Sequence, residues 1–322
     1  MELLSYYFIA LNDKGLKIEM EKIPKIRLGL CCLFSKENIN FKTTTFKHFS
    51  KLNDQKKLEK LDAIILHNLK SLFKAIVFCR KNQILSFRIT STLLPLYTHP
   101  ECKYSINSLP SSEEIFSIFQ KCKEYSKKNN VRLVFHPDQF VVLNSPRKMV
   151  VEKSIEDLLY HTYLSNLLGA DVINIHGGGI YGDKIKALQG LRDVIHNLPH
   201  EITSRLTLEN DDKSYTPSDL LPICEKFTIP LVYDIHHHRC LKDHLTEEEA
   251  SKMAYATWNR EPLFHISSPK EGWKGKKPSR HHDYIDIKDF PLFWKRMLPL
   301  TVEVEAKAKE CAVKQLISQI YS

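Results

Sequence analysis

The chain has 322 residues, 43% hydrophobic and 26% charged, a soluble globular composition that suits one large α/β barrel or two ordinary domains and needs no disulfide staples. Its eight Cys are scattered without a CxxC pair, which argues against a zinc ribbon or a thioredoxin-type motif and reads as small buried thiols in a reducing compartment. Lys+Arg number 47 against 38 Asp+Glu, a net charge of +9 that favours polyanionic partners such as nucleic acid, and no stretch is long and apolar enough to span a membrane.

The first apolar run, LLSYYFIAL, is short and lacks a basic segment before it, so it is a poor secretory signal. A polar stretch follows, with Met20 six residues before the first strand. Residues 1–24 are therefore expected to be a peripheral extension, with Met20 a candidate alternative start. The folded domain is expected over 25–322.

IRLGLCCLF (26–34) reads as the first strand. From Phe46 to Lys81 the apolar residues of LDAIILHNLKSLFKAIVF recur at spacings of three and four, which predicts one long helix. ILSFRI (84–89) is the second strand, and 111–128 opens a helix with Ser caps and acids in its first turn. VRLVFH (131–136) is the third strand; an amphipathic helix over 151–170 ends near Gly169. DVINIH (171–176) is followed by GGG and a helix near 184–197, and RLTLE (205–209) by a helix with Pro217 near its start. PLVYD (230–234), a helix over 245–258 capped by Thr246, and PLFHI (262–266) come next. A basic loop, a helical IKDFPLFWKRM (287–297), LTVEVE (300–305) and a closing helix from Ala306 to Ile320 complete the chain.

Strands alternating with helices predict a parallel sheet, and eight such units predict closure into a single-domain (β/α)8 TIM barrel. The alternative is an open doubly wound sheet, but no GxGxxG follows the first strand, as its dinucleotide-binding form would require.

Six metal-grade side chains stand at or just past strand ends: His136, His176, Glu209, Asp234, His265 and Glu305. In a TIM barrel these ends converge on one face. A lone histidine at such a place is ordinarily a core or surface residue. A carboxylate at the end of a buried strand is different, because burying it unpaired is costly; LTLE and VEVE each demand a nearby cation. Histidine with Asp and Glu suits zinc, manganese or iron, and six candidates favour a centre of two or three ions over a single zinc. His237 lies three residues beyond Asp234, so a turn can aim both at one metal, whereas three adjacent His in DIHHH cannot all point inward.

Gln139 and Phe140 follow His136 on its loop, where an amide beside an aromatic could enter a base stack or simply cover the core. The glycines of HGGG (176–179) permit either close approach at His176 or a tight strand exit. The loop 267–284 carries Lys270, Lys274, Lys276, Lys277 and Arg280, whose charges would neutralise phosphates, together with Trp273, and returns through His281 and His282. Arg88, at the end of the second strand, could bridge core carboxylates or contact phosphate. A multinuclear site rimmed by cations suits phosphodiester hydrolysis. An apurinic or general phosphodiesterase, a sugar isomerase and a lesion-binding protein without cleavage remain alternatives on these grounds.

Taken in order, RLGLCC, FRITSTLLPLYTHP, HPDQFVVLN, NIHGGG, LENDDKSYT, YDIHHH, HISSP and EAKAKE resemble the UV damage endonucleases from about Ile26 to the final helix. The resemblance implies a TIM barrel with a cluster of two or three divalent ions, manganese before zinc or magnesium, and no ATP. It implies nicking of UV-damaged double-stranded DNA immediately 5′ to pyrimidine dimers and 6-4 photoproducts, leaving 3′-hydroxyl and 5′-phosphate. His136, His176, Glu209, Asp234, His237, His265 and Glu305 would be ligands, with Glu209, Glu305 and His281 catalytic. Gln139 and Phe140 would probe the lesion. On the charge reading above, apart from the resemblance, Arg88, Lys270, Trp273, Lys274, Lys276, Lys277 and Arg280 are the expected DNA contacts. No membrane and no obligate protein partner are implied; the location would be cytoplasmic in a bacterium and nuclear in a eukaryote. The chain departs from the family pattern at Phe140, where Tyr is typical. It departs also at Leu263, where members can carry a carboxylated Lys, and at Leu30 and Phe34, where some have Tyr and Asn.

Overall fold

The computed structural model describes residues 26–321, so the expected extension over 1–24 lies outside them. The strands are β1 (Ile26–Cys31), β2 (Ser86–Ile89), β3 (Arg132–Phe135), β4 (Val172–His176), β5 (Leu206–Glu209), β6 (Leu231–Asp234), β7 (Leu263–Ile266) and β8 (Leu300–Val304). All pair in parallel with their chain neighbours, and β1 with β8, so the sheet closes into the expected barrel. The helices are α1 (Phe46–Phe49), α2 (Asp54–Lys81), α3 (Ser112–Lys128), α4 (Lys148–Leu168), α5 (Lys184–His196), α6 (His200–Thr203), α7 (Pro217–Phe227), α8 (Ile235–Cys240), α9 (Glu247–Ala256) and α10 (Glu310–Tyr321). None of the described helices is long and apolar enough to cross a membrane.

The barrel separates two cores. Residues pointing out of the strands, such as Leu28, Leu30, Phe87, Phe135, Ile173 and Phe264, pack with the helices. Residues pointing in are layered along the axis. At the N-terminal mouth Arg27 forks onto Glu261 (2.9 and 3.0 Å) and Arg132 pairs with Asp171 (2.8 Å). Above them Val134, Val172, Val232 and Leu263 form a small apolar layer. The next layer, at the C-terminal mouth, is polar, and the site is built on it.

Several element boundaries differ from the sequence expectation. β1 stops at Cys31 rather than residue 34, because Cys32 adopts φ +58 and turns the chain. The helix expected from Phe46 to Lys81 breaks after Phe49: Asn53 is extended and its side chain caps α2 by accepting from Lys56 N. The segment 287–297 is two 3₁₀ turns, Ile287–Asp289 and Leu292–Arg296, with Pro291 between them. The closing helix starts at Glu310, since Lys309 has φ +51. Glu310 instead ties β1's exit loop, its carboxylate accepting from Ser35 N (2.7 Å) and Lys36 N (2.6 Å).

Candidate metal centre and nucleic-acid face

Inward side chains alternate along each strand, so the last inward residue of every strand rises into the C-terminal mouth. His136 follows β3 directly, His176, Glu209 and Asp234 end β4, β5 and β6, His265 lies one residue before the end of β7, and Glu305 follows β8. The structure brings these residues together with His237. Their potential ligand atoms fall into three groups, each within 4.8 Å: His136, His265 and Glu305; His136, His176 and Glu209; Glu209, Asp234 and His237. His136 and Glu209 each belong to two of these groups.

Glu209 is the hub. It is 1% exposed, with His136 Nε2 at 3.0 Å, His265 Nδ1 at 3.1 Å, His237 Nδ1 at 3.4 Å and Asn174 Nδ2 at 2.5 Å. Asp234 Oδ1 accepts from His237 N (2.7 Å), which winds the histidines of the β6 exit into α8 and turns His237 toward the site. Asp234 Oδ2 and His176 Nδ1, both in the ligand set, are buried with no hydrogen-bond partner among the described residues. Unsatisfied buried acceptors within a His and carboxylate set are what a divalent cation requires, so these residues fit such a centre.

Charge is balanced tightly here. Burial works against ionisation of Glu209, but His265 and His176 nearby, with hydrogen bonds from His136 and His237, hold its carboxyl well below the usual range. Burial likewise opposes the charge on Glu305, and Arg88 and His265 overcome it. For His265, burial opposes protonation, but Glu209 beside it lifts the pKa to about 10. His237, also opposed by burial, is raised by Asp234 and Glu209. Burial lowers His136.

Arg88 is corrected here as a DNA contact. It is 7% exposed and points into the barrel, where Nη1 meets Glu305 Oε1 at 2.7 Å and Nε meets Glu303 Oε2 at 2.7 Å. Of the two roles open to it in the sequence, the structure takes the bridging of core carboxylates. Glu303 itself was missed. Its signal was its place two residues before Glu305, on the same face of β8.

The glycines of the β4 exit serve close packing. Gly178 has φ +93 and a Cβ there would meet Asn144 Oδ1 at 2.1 Å, while Gly179 O accepts from Asn144 Nδ2 (2.9 Å) and Tyr215 OH (2.8 Å). In DIHHH only His237 joins the ligand set: His238 is buried between Tyr233 OH (2.7 Å) and Asp243 Oδ1 (3.0 Å), and His236 is buried beside Trp273 and His281. Leu263 lies in the apolar layer below the site, and Leu30 and Phe34 pack into the core between barrel and helices.

Around the rim, Asp138 Oδ1 accepts from Phe140 N (3.1 Å) and sets a turn that leaves Gln139 exposed and Phe140 77% exposed. The basic loop is clamped at its base by Lys270 N to Arg280 O (2.6 Å) and His282 N to Ser268 O (2.8 Å). Trp273 fastens it: the indole N–H donates to Asp289 Oδ1 (2.8 Å), and the ring lies against His236 and Arg239, leaving 38% exposed. Lys270, Lys274, Lys276, Lys277 and Arg280 all face solvent. The loop returns His281 to the centre, its Nδ1 3.7 Å from Glu305 Oε2.

The protein thus holds a basic-rimmed cluster of histidines and carboxylates at the C-terminal mouth of a barrel. Comparison with known proteins agrees with that picture. The chain is 35% identical over 296 residues to the UV DNA damage endonuclease of Bacillus mycoides (strain KBAB4), covering 87% of this chain and 89% of that one. It is 36% identical over 320 residues to the UV DNA damage endonuclease of Nostoc sp. (strain PCC 7120), covering 96% and 94%. The crystal structure of SacUVDE superposes with a TM-score of 0.80 at 29% identity, over 92% of this chain and 99% of that one. Residues 26–322 match the UV-endonuclease UvdE model, and the chain belongs to that family.

Proposed function

We propose that this protein is a metal-dependent endonuclease that nicks duplex DNA immediately 5′ to UV photoproducts, pyrimidine dimers and 6-4 photoproducts, leaving 3′-hydroxyl and 5′-phosphate ends. The observation that carries the reading is the convergence of His136, His176, Glu209, Asp234, His237, His265 and Glu305 on one buried cluster, in a chain of the UvdE family. Two or three divalent ions, manganese by preference, held by these residues would lower the pKa of a water beside the scissile phosphate and stabilise the charge developing on the leaving oxygen, without ATP.

The protein's own groups supply the rest. Glu209 and Glu305 stay ionised across the physiological range, so the mouth presents fixed negative charge to cations. Lys270, Lys274, Lys276, Lys277 and Arg280 surround that negative centre with positive charge and neutralise phosphates flanking the cut. His281, carried on the clamped base of the basic loop beside Glu305, would donate a hydrogen bond to the scissile phosphate. Gln139 and Phe140 enter the duplex at the lesion, where poorly stacked bases are cheaper to extrude. Residues 25–322 form the nuclease, and deletion of 1–24 leaves its activity intact.

The test is product mapping on an end-labelled duplex carrying one site-specific dimer. A single Mn²⁺-dependent cut at the phosphodiester 5′ of the dimer, extendable by polymerase from its 3′-hydroxyl, is expected. Equal cutting of an abasic duplex would instead identify a general repair phosphodiesterase.

A further inference from the structure

We propose that Glu303 is a positioning residue for the metal centre: it holds the His265 ring by Nε2 so that Nδ1 is presented to the cation, and it shares Arg88 with Glu305. The inference rests on the metal-dependent reading above and concerns a residue that makes no contact with metal or substrate in it.

Glu303 is fully buried inside the barrel, with its Oε2 2.5 Å from Arg88 Nη2 and 3.2 Å from His265 Nε2. Room for it is built in. Gly29 of β1 stands opposite it in register, and a Cβ at Gly29 would lie 3.1 Å from Glu303 Cγ and 3.0 Å from Ser86 Cβ. Arg88 reaches past Glu303 to Glu305, so one guanidinium fixes both the carboxylate inside β8 and the one just beyond it.

The other edge of the His265 ring faces the cluster. Its Nδ1 lies 3.1 Å from Glu209 Oε1, 3.5 Å from Glu305 Oε1 and 4.0 Å from Asp234 Oδ2. A neutral imidazole that gives its Nδ1 lone pair to a cation carries its proton on Nε2. That N–H needs an acceptor, and the groups within reach of Nε2 are Glu303 Oε2 and Arg88 Nη2 at 3.0 Å. Arg88 can only donate. Without Glu303, Nε2 would accept from Arg88 and the proton would move to Nδ1, the tautomer that cannot ligate. Partners of this kind, which orient a ligating histidine, typically change metal affinity 10–100-fold. Removing Glu303 alone leaves Arg88 buried with one carboxylate fewer, which costs stability as well, so metal affinity and the state of the His265 ring must be read separately from folding.

Two measurements test this. Mn²⁺ is titrated calorimetrically into EDTA-stripped wild type, Glu303→Leu and Glu303→Gln. The Leu variant is expected to melt below metal-free wild type, because Arg88 loses a buried partner, and, measured where it is fully folded, to bind Mn²⁺ roughly 10–100-fold more weakly, with Gln, which retains an acceptor oxygen, recovering part of the loss. Wild-type affinity in Glu303→Leu overturns the proposal. Should that variant not fold, the wild type decides: in Zn²⁺-loaded protein labelled with [¹⁵N]histidine, the His265 resonances (assigned by their loss in His265→Gln) should show Nδ1 ligation and a protonated Nε2. Ligation through Nε2 overturns the proposal while leaving the metal reading intact. Failure of the wild type to bind either ion overturns both.

Discussion

Phe140→Ala separates recognition from folding. With 77% of its surface open, Phe140 contributes little to the folded state, and exposed substitutions of this kind stay within about 0.5 kcal/mol. At about 2–4 °C per kcal/mol for a chain of 150–250 residues, the thermal midpoint should move by less than about 2 °C. Binding is another matter. A phenyl ring buries about 150–250 Å² when covered, so insertion into a base stack would remove roughly 120–190 Å² from water, about 3–5 kcal/mol at 25 cal/mol/Å². Unstacking of the lesion and ordering of the loop offset part of this, and alanine substitution of a stacking aromatic costs about 1–3 kcal/mol per base. The affinity for UV-irradiated duplex should therefore fall about 5- to 150-fold, with affinity for unirradiated duplex and Mn²⁺ content unchanged. The assay is competition binding of irradiated against unirradiated duplex, beside thermal melting and metal analysis of the same preparations. Unchanged selectivity, or loss of metal in step with selectivity, would refute the reasoning.

Glu209→Gln removes the hub charge that touches three histidines; Mn²⁺ affinity should drop by more than the roughly 10–100-fold expected for losing a ligand's hydrogen-bond partner, and cleavage should fall with it. Retention of full cutting would sink the site assignment. The metal-free protein should be pH-sensitive in a defined direction. His265 is raised from 6.5 to about 10, so its contribution is complete below 6.5 and is lost as pH rises through about 10. Glu209 and Glu305 are depressed from 4.5, so theirs is present above 4.5 and lost as pH falls. Melting of EDTA-treated protein should accordingly peak between pH 4.5 and 6.5 and decline toward pH 10; a midpoint that climbs from pH 7 to 10 would contradict the assigned charges. In DNA binding, replacing Lys274, Lys276 and Lys277 with Ala should flatten the plot of log affinity against log salt by about 0.9 for each lysine that meets a phosphate. An unchanged slope would place the DNA elsewhere.

The barrel was legible because buried parallel strands read as continuous apolar runs bounded by polar turns, as in DVINIH and PLVYD. The convergent residues were legible because each ends such a run. Other features depend on three-dimensional neighbours. Arg88 offered two roles in the sequence, and the choice was made by Glu303, which reaches it across β1 only because Gly29 leaves space. Trp273 stands in the sequence simply as part of the basic loop expected to contact DNA, but its indole is tied to Asp289, sixteen residues away. Leu30 and Phe34 sit near the first strand end yet face the helices, since a one-residue change of parity moves a side chain from the barrel interior to its outside. The missed helix breaks have local causes: a capping Asn53, Pro291 between two 3₁₀ turns, and a left-handed Lys309.

The central claim is a metal-dependent, damage-selective nick, and one experiment addresses it directly. Supercoiled plasmid, UV-irradiated or untreated, is incubated with the protein in Mn²⁺ or in EDTA. The account predicts relaxed circles only from irradiated plasmid and only with Mn²⁺. Equal nicking of both plasmids, or nicking that survives EDTA, would contradict it.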